Sequence, residues 1–444
     1  MNKQTLLLAF LWATLVIAAF PILTFGLRSI ATILWAVLGI VNYCVTPKLS
    51  IKKDSKKFLH FIIAMLPFLC LVVSLLYTQN IDYGLKRLTK MLPLLIFPII
   101  FYLNRDVITK AFRDNILWCF SISVMILVFY QMGYTVYHLD YFLADLTETE
   151  IVRNRLSNQD VLNQDVVSGI KTRRYRSALL DLTDTHFTYQ GLWIIFTVFI
   201  LIKKAYMFIK RKNLKGYLLL VVSVLLTSWL FMISSRMPIL AMFVAAFYVL
   251  FISRKIKLKY QIILLGASAL FLVLAYLVFT PLRVRVNEIF DAKFDFPTET
   301  RTEYNYDSIN VRHGIYACAS HIVKDNLWLG VGIGDSQDVL NACYNEKIKA
   351  KIYTWQDYNT HNQYLFFAVA SGVFSLLFYL LFLYLQHKEA LKYKNGLYLY
   401  FIIVVALISL TENILSRSDG VMFFTFFSSL FLFNNRDIKL HDNY

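Results

Sequence analysis

The chain has 444 residues, of which 58% are hydrophobic and 16% charged, yet its formal net charge is +17. The charged share lies well below the roughly 25% of soluble globular proteins. That excludes a soluble multidomain enzyme, a disordered chain and a small disulfide-held secreted scaffold. Charge alone would admit a nucleic-acid binder, but the apolar runs described next point to membrane lipids and not to nucleic acid.

A span needs about 20 apolar residues to cross a hydrocarbon core about 30 Å thick. Twelve runs meet or approach that length, near 5–25, 29–45, 58–77, 90–104, 115–137, 187–203, 217–235, 237–253, 261–280, 361–386, 396–412 and 419–433. The fold class expected is therefore an all-α integral membrane protein of about 12 transmembrane helices. The first run ends in Phe20-Pro21 with no small-residue cleavage site, so it reads as a retained anchor. The fourth and twelfth are short, and Ser234-Ser235-Arg236-Met237-Pro238 breaks the 217–253 stretch. The organisation expected is five spans in 1–137, a first outer loop at 138–186, four spans in 187–280, a large outer loop at 281–360, and three spans with a tail in 361–444.

The segments placed inside by an internal N-terminus hold 24 of the basic residues and only six acids, Asp54, Asp106, Asp114, Glu389, Asp437 and Asp442. The short outer loops hold Arg28, Lys86, Arg87, Lys90, Arg236 and Arg417. By the positive-inside rule both termini are cytoplasmic. The two long outer loops carry a slight excess of acid, which does not bear on topology because long loops translocate largely regardless of charge. Loops of that length are usually functional, so chemistry is expected on the outer face. Cys44, Cys70 and Cys119 fall in or beside spans. Cys318 and Cys343 share the second loop, where either a disulfide or two free thiols fits the sequence.

Walker A, HExxH, CxxC, GxSxG and DxD patterns are absent from the sequence. Gly330, Gly332 and Gly334 form a GxGxG, but no βαβ unit surrounds it. It reads as a turn into a helix capped by Asp335. The eight His show no metal-ligand spacing, so neither a metal nor any other cofactor is expected.

Four residues remain at the outer boundary. Arg236 follows about 20 apolar residues; such an arginine either snorkels to headgroups or offers its planar fork to a phosphate. Arg312 lies in a helix expected to be capped by Asp307 or Ser308 and to run to about 324. Alone it is a solvated helix charge. His361 opens the tenth span, and an imidazole is chemically able to act as a general base near neutral pH. Glu412 ends the eleventh span, where a carboxylate can orient that imidazole. Taken together, two guanidiniums, an imidazole and a carboxylate suit an anionic, membrane-embedded substrate and a nucleophile needing deprotonation.

These blocks, namely Ser235-Arg236, the Arg312 helix with Trp328-Leu329-Gly330-Val331-Gly332, and His361-Asn362-Gln363-Tyr364-Leu365, resemble the O-antigen ligase and polymerase superfamily. His186-Phe187-Thr188-Tyr189 is similar to a family HxTY segment. The resemblance covers roughly 180–435 through motifs and the first five spans through topology. It implies a GT-C-like, metal-independent, inverting glycosyltransferase of lipopolysaccharide biosynthesis at the outer face of the bacterial inner membrane. The glycan would pass from an undecaprenyl-diphosphate carrier to an acceptor hydroxyl, foremost that of lipid A-core. The resemblance implies that Arg236 and Arg312 bind the diphosphate, that His361 activates the acceptor and that Glu412 orients His361.

Glycan or acceptor contacts are expected from Arg174, Arg176, His186, Tyr189, Tyr316 and Trp328. Further loop aromatics, Tyr304, Tyr306, Tyr344, Tyr353, Trp355 and Tyr358, serve either as stacking platforms or as anchors. Lys171-Thr172-Arg173-Arg174-Tyr175-Arg176 meets phosphates or acidic sugar, or is a solvated face. Alternatives to a ligase are a polysaccharide polymerase, a protein O-oligosaccharyltransferase and, from a different class, a transporter. Against transport, the spans carry almost no charge away from their ends.

Overall fold

The computed structural model describes residues 2–45, 55–154, 158–253, 258–290, 295–297 and 308–434. Tyr304, Tyr306 and Asp307 lie outside the described residues, as do most of the basic segments at 46–54 and 254–257 and the tail from 435. Among the described residues every regular element is helical. The chain opens with α1 (Lys3–Ala18), α2 (Phe25–Val45), α3 (Ser55–Val73), α4 (Ile81–Met91), α5 (Pro93–Leu103) and α6 (Lys110–Tyr137). The first long loop is itself helical, with α7 (Leu139–Leu143), α8 (Glu148–Arg153), α9 (Asn158–Leu162) and α10 (Gln164–Thr183). There follow α11 (Phe187–Lys210), α12 (Lys215–Met232), α13 (Arg236–Ser253), α14 (Leu258–Val278) and α15 (Thr280–Phe290). The second long loop holds α16 (Ser308–Asp325) and α17 (Ser336–Cys343), before α18 (Gln363–Lys392), α19 (Gly396–Ile408) and α20 (Ser418–Phe433).

Among the described residues seven helices, α2, α3 with its following 3-10 turn, α6, α11, α12, α14 and α18, are long and apolar enough to cross a membrane. Shorter apolar helices are α1, α13, α19 and α20. The expected run at 90–104 has a different form: it starts inside α4, an amphipathic helix with Lys86, Arg87 and Lys90, and continues as the 11-residue α5 behind Pro93. Proline at the first helical position starts a helix readily because its missing N–H has no partner there anyway.

The helices form two compact units, residues 1–120 with 294–444, and residues 121–293. In the first, α20 is buried from Asp419 to Phe433. A helix apolar on every side has no face to give to water and becomes the centre of its bundle. Its rings pack against those of neighbouring helices: Phe426 meets Phe97 and Phe101 edge-on at 5.7 and 5.3 Å, and Phe427 meets Phe120 at 4.8 Å. Its polar end is met by Arg28, whose guanidinium pairs with Asp419 and donates to the Phe20 carbonyl. In the second unit α11 is the buried helix, and Pro238 of α13 packs tightly on its Gly191. A polar network crosses that core: Trp229 Nε1 donates to Gln131, Gln131 to Gln190, and Gln190 to Thr183 and the Thr185 carbonyl. With each donor satisfied, such a network fixes helix register at little cost.

Candidate active site

The first unit positions His361, Glu412, Arg312 and Tyr316. His361 ends the loop before α18, and its φ is +40°, a backbone conformation rare outside glycine and asparagine. Such strain persists only where the surroundings over-determine the backbone. Here the 360–363 segment is tied to the turn after α19. Asn413 Oδ1 accepts from Asn362 N at 2.8 Å and Thr360 Oγ1 at 2.9 Å, while Gln363 Oε1 accepts from Leu415 N at 2.9 Å. Gln363 N donates to the Ser409 carbonyl at 2.8 Å. Asn362 then caps α18 by accepting from Tyr364 N and Leu365 N.

This clamp brings Glu412 to the imidazole: His361 Nδ1 lies 3.8 Å from Glu412 Oε2. That is ion-pair range, longer than a hydrogen bond. The other carboxylate oxygen accepts from Arg312 Nη2 at 3.2 Å. One carboxylate thus serves both cation and base. Arg312 comes from α16, described from Ser308 to Asp325, which buries Val311, Ile315, Ala319 and Ile322 at helical spacing. Tyr316, one turn beyond Arg312, donates to the His361 carbonyl at 3.3 Å. Burial raises its phenol above the ordinary range; the Arg312 charge opposes this and Glu412 adds to it.

The rest of the second loop is a support for α16. Cys318 and Cys343 are bonded, with Cα atoms 5.8 Å apart, so the disulfide alternative is the one realised. Tyr344 and Tyr353, two of the aromatics weighed as sugar platforms, are buried and stacked on each other at 4.5 Å. Tyr353 Oη donates to the Val311 carbonyl at 2.7 Å, passing over Gly314, where a Cβ would lie 2.2 Å from that oxygen. They are anchors, closed to a ligand. Trp355 is exposed, and Trp328 is 63% exposed and packed on Phe374 of α18.

The GxGxG is structural, and its expected cap is not formed. Asp335 precedes α17 but makes no side-chain cap to it. Its carboxylate instead accepts from Gln79 N at 2.8 Å and Asn80 N at 2.7 Å, at the start of α4. Gly330 and Gly332 have φ of +68° and +92° and lie against backbone or Thr78, with no room for a Cβ. Val331 N and Gly332 N donate to the Val369 and Ala370 carbonyls, where α18 breaks at Ser371 and Gly372.

The second unit holds the remaining candidates. Arg236 begins α13 directly after the break, where Ser234 takes a φ of +47°. Its Nη2 pairs with Glu288 of α15, and Arg285 pairs with the same Glu288 oxygen. Sequence reading missed Glu288 and Arg285, since nothing in the local pattern links them to a residue about fifty positions earlier. Arg176 donates to the Ile233 carbonyl and to Ser234 Oγ, and lies over the Phe187 ring at 4.4 Å. Burial, and then the Arg285 charge, bring its guanidinium down to about 9, with Glu288 pulling the other way.

Arg174, one of the expected glycan contacts, has its donors engaged by the protein. They reach Glu150 and the carbonyls of Tyr141, Ala144 and Asp145, tying α10 to α7 and α8. The Arg174 hydrogen bond holds Glu150 down at about 2. His186 is the N-cap of α11, accepting from Thr188 N at 3.3 Å, and Tyr189 is buried beside it. Among the described residues no group of His, Cys, Asp and Glu is arranged to hold a metal.

Long apolar helices in an all-helical fold, with a base, a carboxylate and a guanidinium gathered beside the end of one of them, define a multi-pass membrane protein with the elements of an acid-base site. Residues 221–380 match the family model described as O-antigen ligase, a match that supports the O-antigen ligase and polymerase superfamily. The match supports a glycosyltransferase of ligase or polymerase type. No curated protein matches the chain at a significant level.

Proposed function

We propose that the protein is an O-antigen ligase-like glycosyltransferase that moves a glycan from undecaprenyl diphosphate to a hydroxyl of lipid A-core, at the periplasmic face of the inner membrane. The observation that carries this reading is Glu412 shared between His361 and Arg312. With Nδ1 on the Glu412 side, Nε2 is the nitrogen left for the acceptor proton. The acceptor oxygen attacks the anomeric carbon as that proton moves to His361. The bond from carbon to diphosphate oxygen breaks, and its electron pair leaves with the diphosphate. Arg312 offsets the charge gathering there, and Arg236 is proposed as a diphosphate contact on the family match alone. Direct displacement inverts the anomeric centre. Glu412 balances the imidazolium that forms, and Tyr316 holds the His361 backbone in its uncommon conformation.

The test is a deletion strain complemented with wild type, His361→Ala, Arg312→Ala or Arg236→Ala and examined by lipopolysaccharide gel. Loss of all long chains with retained carrier-linked polymer supports the ligase, and each variant should reproduce it while still reaching the membrane. Core carrying a single repeat unit would make the protein a polymerase. An unchanged ladder would direct attention to a protein acceptor. Wild-type product from any one variant removes that residue from the mechanism.

A further inference from the structure

Three tyrosines of the second loop form a row that ends beside the base. Tyr344 and Tyr353 stack at 4.5 Å with their planes 19° apart, Tyr353 meets Tyr358 at 5.6 Å and 82°, and Tyr358 lies 6.4 Å from the His361 ring at 48°. The first two give their hydroxyls to the loop itself. Tyr344 Oη donates to the Tyr358 carbonyl at 3.1 Å, and Tyr353 Oη to the Val311 carbonyl at 2.7 Å. Tyr358 differs from both. It is half-buried, and among the described residues its hydroxyl has no hydrogen-bond partner.

Its backbone, by contrast, is held from both sides. The Tyr358 carbonyl accepts from Gln337 Nε2 at 3.0 Å as well as from Tyr344. Gln337 is buried and donates from the same nitrogen to Asn341, whose own amide nitrogen reaches Asp357 at 2.9 Å. On the other side Asn359 Oδ1 accepts from His361 N at 2.8 Å. The segment that carries the ring is therefore fixed relative to the imidazole before any ligand arrives, which removes an ordering cost from binding. An anchor turns both its ring and its polar tip into the core, as Tyr344 and Tyr353 do. Tyr358 and His361 are not stacked face to face, and the near-perpendicular Tyr353 covers at most one face of the Tyr358 ring.

We propose that Tyr358 is the platform for the acceptor sugar: a pyranose rests on the open part of its ring, offers one hydroxyl to His361 Nε2, and meets Tyr358 Oη with a second oxygen. This rests on the reading of His361 as the base for the acceptor. The spacing suits it. Atoms in contact with a ring lie about 4 Å from it, and a general base takes its proton across about 3 Å. A sugar lying on one ring thus has a hydroxyl within reach of the other, 6.4 Å away. Tyr358 touches the acceptor and not the departing diphosphate, so its contribution falls on acceptor binding.

The experiment uses the full chain in detergent with carrier-linked glycan as a saturating donor. Two acceptors are tried in separate arms, rough lipopolysaccharide ending in the lipid A-core and a second carrier-linked repeat unit. Tyr358→Phe keeps the ring and removes the hydroxyl; it should raise the acceptor KM about fivefold, the scale of one neutral hydrogen bond. Tyr358→Leu keeps apolar bulk against Tyr353 but removes the flat face as well, and should raise it about fiftyfold. Donor KM and kcat should change far less in both. Tyr358→Phe keeps the test open if Tyr358→Leu fails to accumulate. An unchanged acceptor KM in either variant, with or without a fall in kcat, would overturn the inference and make Tyr358 an anchor like Tyr353. If wild type uses only the carrier-linked repeat, the ligase reading fails, and the same rise in KM for that acceptor supports the inference. Transfer by wild type to neither acceptor overturns both.

Discussion

Replacing Glu412 with glutamine keeps the shape of the side chain and removes its charge, so the effect on catalysis reads the electrostatic role directly. The carboxylate stands 3.8 Å from His361 Nδ1. Coulomb's law at an effective dielectric near 20 gives about 4 kcal/mol for an imidazolium at that distance. The imidazole is 28% and the carboxylate 15% exposed, and water reaching the pair reduces the figure to about half. A loss of about 2 kcal/mol from the transition state is about 30-fold in rate. Glu412→Gln should therefore lower kcat about 30-fold in a purified transfer assay. The donor KM should rise less, through the loosened Arg312 contact at 3.2 Å. Glu412→Asp should fall between wild type and the glutamine variant. A glutamine variant with wild-type kcat would refute the reasoning, because no imidazolium would then need the charge.

Three further outcomes follow from the support around the site. Cys318→Ser should cost about 3 kcal/mol of stability, since the bond closes a loop across a separation of 25 residues; non-reducing mass spectrometry of the wild type should find the two cysteine peptides joined, and free thiols at both would contradict the bond. Gly372→Ala should destabilise by at least about 2 kcal/mol, because φ is +76° and the new Cβ would lie 2.1 Å from the Trp328 carbonyl; an unchanged melting temperature would show that the break in α18 is not held as described. Glu150 has its carboxyl depressed to about 2 by Arg174, so it stabilises the native state above its ordinary pKa of about 4.5. That contribution is lost as pH falls through about 2. The melting advantage of wild type over Glu150→Gln should be full at pH 7 and shrink below about pH 4.5; equal melting at pH 7 would remove the pair from the stability of α8 and α10.

Helices were legible in the sequence wherever the signal was local. A long apolar run bounded by charges specifies α11 or α18 by itself, and the helix expected around Arg312 is α16. His361 and Glu412 stood out because each lies at the end of an apolar run, and Arg312 because it is a guanidinium in the loop that leads to His361. What escaped is the pairing of distant side chains. Asp335 looked like a cap for the helix it precedes, but two backbone donors at Gln79 and Asn80 from a remote segment claim it. Arg174 read as part of a basic run, and only the fold of α7 and α8 around it shows why its charge is turned inward. The second-loop tyrosines carry no mark that separates an anchor from a platform; the packing of Tyr353 over Gly314 does. Glu288 is the plainest case, an unremarkable acid until Arg236 and Arg285 both meet it.

The burial of α20 has a consequence for how the chain is made. The helix around which the first unit is built is made after its neighbours α2 and α5, with the whole of the second unit synthesised in between. The intervening unit, residues 121–293, is continuous in sequence and has its own buried helix in α11, so it can assemble during synthesis. The helices that precede the second unit must wait, with Phe97, Phe101 and Phe120 lacking their α20 partners, until α20 has been made. A nonsense codon just before Ser418 would thus spare every residue assigned to chemistry and still leave no working enzyme. Protection of the N-terminal helices from protease in staged truncations should appear only once α20 is present.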